Sequence, residues 1–302
     1  MQISTKQFFA SQLASMADSQ SKIGRLQQEI STGKKLIQPS DDPSAYAKVS
    51  ALKQSEASSV QYNRNMSVAK QRLSQEENAL SEACNAAIRL RELSIAGASD
   101  TYGPSDRQTL ATEMRQVSEQ LASVANITDS NGDYLFSGFQ AKVKPFILDE
   151  HGVIQFNGDS GRREIEIAKG VRTASSSSGA EIFMQVRLPN GQQSESIFDI
   201  VKDAADALEA GESSKDYVDK MKAALNHFTV YQTIAGSRLQ KVESVQQLGE
   251  NAVASGKIMR AGMEDANIEQ LATDMQHSLL LLNASQTTFS RISQLSLFNY
   301  MK

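Results

Sequence analysis

Proline stands at only five positions in the chain, Pro39, Pro43, Pro104, Pro145 and Pro189. Proline has no backbone N–H to donate and its ring clashes with the preceding helical turn, so it breaks helices. All five fall at candidate element boundaries or in the middle region. The flanking stretches are therefore free to form very long helices, and their apolar residues recur at helical spacing.

The first pattern is Phe9, Leu13, Met16, Ile23 and Ile30, with polar Gln20 and Gln27 in the slots between. Steps of four and three alternate. That is a narrow heptad seam rather than the broad apolar stripe of a globular helix. A helix of about 28 residues would be roughly 40 Å long, and it requires a partner to cover the stripe. The last pattern, Ile268, Leu271, Met275, Leu279, Leu282, Phe289, Ile292 and Leu295, is its natural partner. These seams predict a coiled coil, formed either within one chain or between subunits of an assembly. The heptads do not choose between the two.

Next to the first seam lies ISTGKKLIQPSDDPSAYA, residues 30–47. Gly33 stands where a left-handed residue would end a helix. Lys34 and Lys35 lie beside the partly negative helix end, and Pro39 blocks continuation. Ser40, Asp41 and Asp42 are all good N-caps, and Pro43 suits the first position of a new helix. The stretch reads as a stop, a short extended crossing and a start.

From Pro43 to about Ala96 runs a second pattern, anchored by Val49, Leu52, Val60, Met66, Leu73, Leu80 and Leu90. It would span roughly 80 Å. A turn through Gly97–Pro104 follows. Ser105 or Asp106 is the expected cap of a third helix carrying Leu110, Met114, Val117, Leu121 and Val124. Eight of the 17 glycines then fall between Gly132 and Gly191. Asn131-Gly132 is a turn signal, and the runs YLFSGF, KPFIL, VIQF, REIEIA and EIFMQVRL read as short strands around an SSSSG loop. Helices return at Ile197–Leu208 and from about Ser213. The latter pattern weakens through Gly249, Gly256 and Gly262, which predicts a bend or joint there.

The predicted fold is mainly α with a small β insertion. It is a long antiparallel helical bundle with the N- and C-terminal helices as a coiled coil and a β-rich tip. Three parts are expected: 1–40 with 262–302, 41–130 with 193–261, and the insertion 131–192.

Composition narrows the function. The formal net charge is −4, from 31 Lys+Arg against 35 Asp+Glu, so neither nucleic acid nor an anionic membrane is an expected partner. The longest apolar run, Leu279 to Leu282, is far too short to span a bilayer. MQISTKQFFASQLASMADSQ has no continuous apolar core, so no cleavable Sec-type signal is expected. Cys84 is the single cysteine; it cannot form an internal disulfide, and among alanines it reads as a small buried residue. His151, His227 and His277 lack a second ligand at metal spacing. In DSNGD, Asp129 to Asp133, the glycine comes early for a calcium loop and Gln140 replaces the bidentate glutamate, so the segment reads as a hairpin turn. There is no P-loop, GxGxxG or GxSxG. No catalytic residue, metal site or cofactor is expected.

ISTGKKLIQPSDDPSAYA resembles the stretch after the first helix of bacterial flagellins and flagellar hook-associated proteins. SQEENALSEACNAAIRLRELSIAGAS, Ser74 to Ser99, is similar to that family's second-helix segment. NGDYLFSGF, Asn131 to Phe139, and the ending SQTTFSRISQLSLFNYMK resemble the branch found at the hook–filament junction. The resemblance covers roughly residues 1–140 and 215–302 and leaves out the β insertion.

The resemblance implies an adaptor subunit secreted unfolded by the flagellar type III apparatus, with its export signal within Met1 to Ile30. It implies a ring of copies of this chain at the hook–filament junction, contacting the neighbouring hook-associated junction protein and flagellin. An export chaperone would cover the C-terminal helix, Ile268 to Tyr300. Gly33, Pro39, Asp41, Asp42 and Pro43 would form the joint between an inner terminal layer and an outer helical layer. The alternatives are a flagellin filament subunit, against which the LSLF-x-Y ending argues, and a coiled-coil signalling module. An enzyme acting from the β region lacks a His/Cys/Asp cluster there.

Overall fold

A computed structural model describes residues 2–150, 152–188 and 193–300, with side chains described between 7 and 293 of these. His151, and Pro189 and Gly191 of the predicted insertion, lie outside the described residues. The chain divides into two compact units, residues 1–57 with 252–302 and residues 58–251. It is mainly α with a small antiparallel β insertion.

Helix α1 runs Gln2–Thr32, α2 Pro43–Gly97, α6 Lys215–Glu264 and α7 Ile268–Tyr300. α2 and α6 contribute residues to both units. Within the first unit α1 and α7 pack along each other in antiparallel fashion. Phe9 meets Phe289 edge-on with centroids 5.4 Å apart, and Gly33 C=O accepts the Ala266 N–H at 3.0 Å at the other end.

α6 does not break at Gly249, Gly256 and Gly262, as the weakened pattern predicts; it is one helix of 50 residues. Each glycine costs about 1 kcal/mol against alanine, and the surrounding helix formers absorb that. Gly256 also has a packing role, because a Cβ there would sit 3.8 Å from Leu52 Cδ2.

The second unit holds most of the core. α3, Pro104–Ala125, packs on α5, Ile197–Glu209, and buries Ala111, Met114, Val117 and Leu121. The cap of α3 is Gly103 rather than Ser105 or Asp106. Pro104 at the first helical position needs no hydrogen-bond acceptor, and Asp106 reaches back to accept the Gly103 N–H at 3.1 Å. Two hairpins follow. β1, Phe146–Leu148, pairs with β2, Ile154–Phe156; β3, Glu164–Ala168, pairs with β4, Val171–Ala174.

YLFSGF forms turns rather than a strand, and VRTA supplies β4 instead. EIFMQVRL opens as the short helix α4, Gly179–Phe183, and then makes a single bridge at Val186 with Glu195. Short runs that are apolar all round bury equally well as helix or strand, so periodicity does not separate them. Phe136, Phe146, Phe183 and Phe228 are fully buried and meet in one aromatic cluster. Asp129 closes the predicted turn: its Oδ1 accepts the Asn131 and Asp133 N–H groups, with Gly132 at φ +74°. Cys84 is buried on α2.

Candidate assembly site

The terminal helix pair is a seam of alternating three- and four-residue steps. On α1 the inward positions are Phe9, Gln12, Met16, Ser19, Ile23, Leu26 and Ile30. Phe9, Met16, Ile23 and Ile30 are the ones the heptads predict. The intervening slots fall one residue earlier than Leu13, Gln20 and Gln27. Leu26 is buried, while Leu13 is 54% exposed. On α7 the inward row is Leu271, Met275, Ser278, Leu282, Ser285, Phe289 and Ile292. Ile268 and Leu279 lie outside it, and the Leu295 side chain is outside the described residues. Three consecutive leucines, Leu279, Leu280 and Leu281, face outward from the pair, Leu280 at 67% exposure.

Three of the seam positions are serines and one is glutamine. Such small polar knobs bury little apolar area. Leu279, Leu280 and Leu281 of α7 are meanwhile spent on the opposite face. A helix pair built this way is weakly held on its own and carries an apolar surface fit for further helices.

The joint lies at the end of this pair. Gly33 takes φ +68°, a left-handed conformation that glycine adopts without steric cost. Residues 33–35 then run antiparallel to 264–266: the Lys35 N–H donates to Glu264 C=O at 2.9 Å, and Lys34 bridges Asp265. The two connections of the unit, α1 to α2 and α6 to α7, are thus zipped together. Leu36 and Val49 are buried in this unit.

Asp41 and Asp42 do different work. Asp42 caps α2: its Oδ1 accepts the Ala45 N–H at 2.9 Å, with Pro43 as the first helical residue. Asp41 holds the crossing itself. Its Oδ2 accepts the Ile37 and Gln38 N–H groups, both at 3.0 Å, and Arg25 of α1 reaches Oδ1 at 3.2 Å. Those N–H donors hold the Asp41 carboxyl below the usual carboxylate range. Pro39 and Ser40 are exposed on the outside of the crossing. Asn267 caps α7 by accepting the Gln270 N–H at 3.2 Å.

Glu264, the last residue of α6, is the centre of the joint, and sequence reasoning misses it. It is 3% exposed and takes Lys34 Nζ at 2.6 Å, Lys53 Nζ at 2.8 Å and Arg260 Nη1 at 3.4 Å. Burial pushes its carboxyl up, but the lysine ammoniums outweigh burial and hold it below the ordinary value. One carboxylate therefore ties α1's exit, α2 and α6 together. The only local signal is an acid where a helix C-terminus normally prefers a cation.

His227 is half-buried with Nε2 2.9 Å from Glu181 C=O, and His277 is exposed on α7. Among the described residues, no group of three or more His, Cys, Asp and Glu side chains is placed to hold a metal ion. None of their helices is long and apolar enough to cross a membrane.

Two curated proteins align end to end with the chain. Flagellar hook-associated protein 3 of Salmonella typhimurium is 27% identical, covering 99% of each chain. The Escherichia coli protein of the same name is 27% identical and covers both chains completely, at 100%. Residues 3–141 match the bacterial flagellin N-terminal helical region. The chain is thus similar to bacterial flagellins over residues 3–141. The relatives that align end to end carry the name of a hook-associated protein. The flagellar junction protein FlgL of Legionella pneumophila shares the fold, with TM-score 0.63 and 20% identity over 72% of this chain and 99% of that one. The matched region holds nearly all of α1, the crossing from Gly33 to Pro43, α2 and α3, whereas Glu264 and α7 lie outside it.

Two changes test the joint. Gly33→Ala is expected to cost about 1–2 kcal/mol. A Cβ there meets nothing within 4 Å, so the cost is the left-handed backbone alone. Glu264→Ala is expected to cost about 2 kcal/mol. The loss is moderate because Lys34 and Lys53, at 40% and 46% side-chain exposure, can turn to water. Amide exchange along 24–45 and 258–275 reads both. The wild-type Glu264 contribution is present above the ordinary carboxylate range and disappears as pH falls through its lowered folded value. Glu264→Ala should therefore show a smaller acid-induced loss of protection than wild type. An equal loss in both chains contradicts the assignment.

Proposed function

We propose that this chain is a structural adaptor of the bacterial flagellum. It joins the hook, through the other hook-associated junction protein, to the flagellin filament. The observation that carries this reading is the end-to-end similarity to hook-associated protein 3 of two bacteria. The terminal pair supports it: the heptad seam with outward Leu279–Leu281 suits a helix pair that completes its packing against copies of itself.

On this reading, residues 1–40 with 262–302 form the assembly part, with Phe9, Leu13, Met16, Ile23, Ile30, Ile268, Leu271, Met275, Leu279, Leu282, Phe289, Ile292 and Leu295 as its contacts. Residues 41–130 with 193–261 form the outer helical layer, and 131–192 an insertion on it. The joint of Gly33, Pro39, Asp41, Asp42 and Pro43 fixes the tilt between the layers. A ring of copies then presents one face to the neighbouring junction protein and one to flagellin. Lys34 and Lys53, meeting on a single buried Glu264, tie α1's exit, α2 and α6 together at the joint.

The chain is secreted unfolded by the flagellar type III apparatus. Before export, a chaperone covers the α7 stripe, which would otherwise aggregate. Chaperone binding that persists after residues 268–302 are removed contradicts that step. The location is read directly by electron microscopy of isolated flagella carrying an epitope in the insertion. Label in a single band where hook meets filament supports the adaptor. Label along the whole filament means a filament subunit instead.

A further inference from the structure

Glu76 lies on α2 in the 58–251 unit and is 1% exposed. Its Oε2 accepts the Ser177 N–H at 3.2 Å, and its Oε1 has no hydrogen-bond partner. The segment it holds, Ser175–Ser178, links β4 to α4 and is buried at all four residues. The hydroxyls of Ser176 and Ser178 are also without partners. An SSSS run is usually a solvated loop, and its burial here against a carboxyl group needs a physical reason.

Two charged groups act on Glu76, and neither forms an ion pair with it. Arg238 of α6 gives Nη1 to Ser177 Oγ at 2.8 Å. Arg72, one turn earlier on α2, gives Nη1 to Asp129 Oδ2 at 2.5 Å. The serine segment brings no charge. An ionised carboxylate with one bare, fully buried oxygen is costly to hold in a core. A neutral carboxyl group costs far less there. Burial pushes the Glu76 carboxyl above its ordinary range; Ser177 and the two arginines pull it back only in part.

We propose that Glu76 is held as the neutral acid in the folded 58–251 unit, where it latches the Ser175–Ser178 segment to α2, so that folding takes up a proton. The step is protonation alone: the carboxylate oxygen gains a proton from a hydronium ion, whose O–H bond breaks to leave water. The sign follows from linkage. The latch is fully present below the ordinary carboxylate range and weakens as pH rises through the higher folded value. The unit is then a proton-sensitive element that holds more firmly in acid than at alkaline pH.

Urea unfolding of the full chain and of Glu76→Gln, from pH 5 to pH 8, tests this. Glutamine copies the neutral acid and does not titrate. Relative to Glu76→Gln, the wild-type unfolding constant is expected to rise with pH by up to about tenfold per pH unit until the folded value is passed. Parallel profiles overturn the proposal. A second measurement needs no variant to fold: carboxyl NMR of the native chain labelled at glutamate only. One glutamate is expected to keep its protonated shift after the others have titrated. Glutamates that all titrate together overturn the proposal.

Discussion

Replacing Phe183 by alanine is expected to destabilise the 58–251 unit by about 4 kcal/mol. Phe183 is fully buried on α4, in a helix of only five residues. A helix this short has almost no stability of its own, so its place is set by its buried side chains, Phe183 and Ile182. The ring lies 5.4 Å from Phe136, 5.3 Å from Phe146 and 5.6 Å from Phe228, centroid to centroid. Those three come from the turn after Asp129, from β1 and from α6. Truncation removes the transfer energy of the ring, leaves a cavity that three elements line, and abolishes the edge-to-face attraction to Phe136 and Phe146. Urea unfolding read by far-UV circular dichroism measures the change. Phe139→Ala is the control, because Phe139 is 65% exposed and its loss should change stability by less than about 0.5 kcal/mol. A loss below about 1 kcal/mol for Phe183→Ala would mean that the aromatic cluster does not organise the insertion.

Asp129→Ala is expected to cost a similar amount, about 3–5 kcal/mol. Arg72 and Asp129 meet at 2.5 Å with side chains 7% and 5% exposed. Removing the carboxylate leaves a guanidinium buried without its counter-ion, and Arg72 already has Nε and Nη2 unpartnered. It also removes the acceptor for two backbone N–H groups that close the 129–133 turn. The double change Arg72→Leu with Asp129→Leu should recover most of the loss, because no buried charge remains. A double variant as unstable as Asp129→Ala would place the energy in the turn rather than in the ion pair.

Much of the fold is legible in the sequence because its signals are local. Proline spacing and heptads predict α1, α2 and α7 to within a few residues. Gly33, Asp42 and Pro43 each announce a backbone role that neighbours alone enforce. What stays hidden depends on distant partners. Glu264 meets Lys34 across 230 residues of sequence and Lys53 across 211, and nothing beside it signals a buried hub. The seam slots are misread by one residue because Leu13 is the more apolar choice, yet the helix turns Gln12 inward and exposes Leu13. The α4 segment and the buried serine loop are misread for the same reason. Their surroundings come from α2 and α6, and no short-range pattern carries that information.

A bacterium lacking this gene gives the most direct test of the adaptor reading. Cells are examined for hooks and filaments, and the culture medium for flagellin. Bare hooks with unpolymerised flagellin in the medium are the expected result, because filaments would have nothing to nucleate on. Normal filaments on the deleted strain would contradict the account. Hooks complete but no flagellin anywhere would also contradict it, and would make this chain the filament subunit.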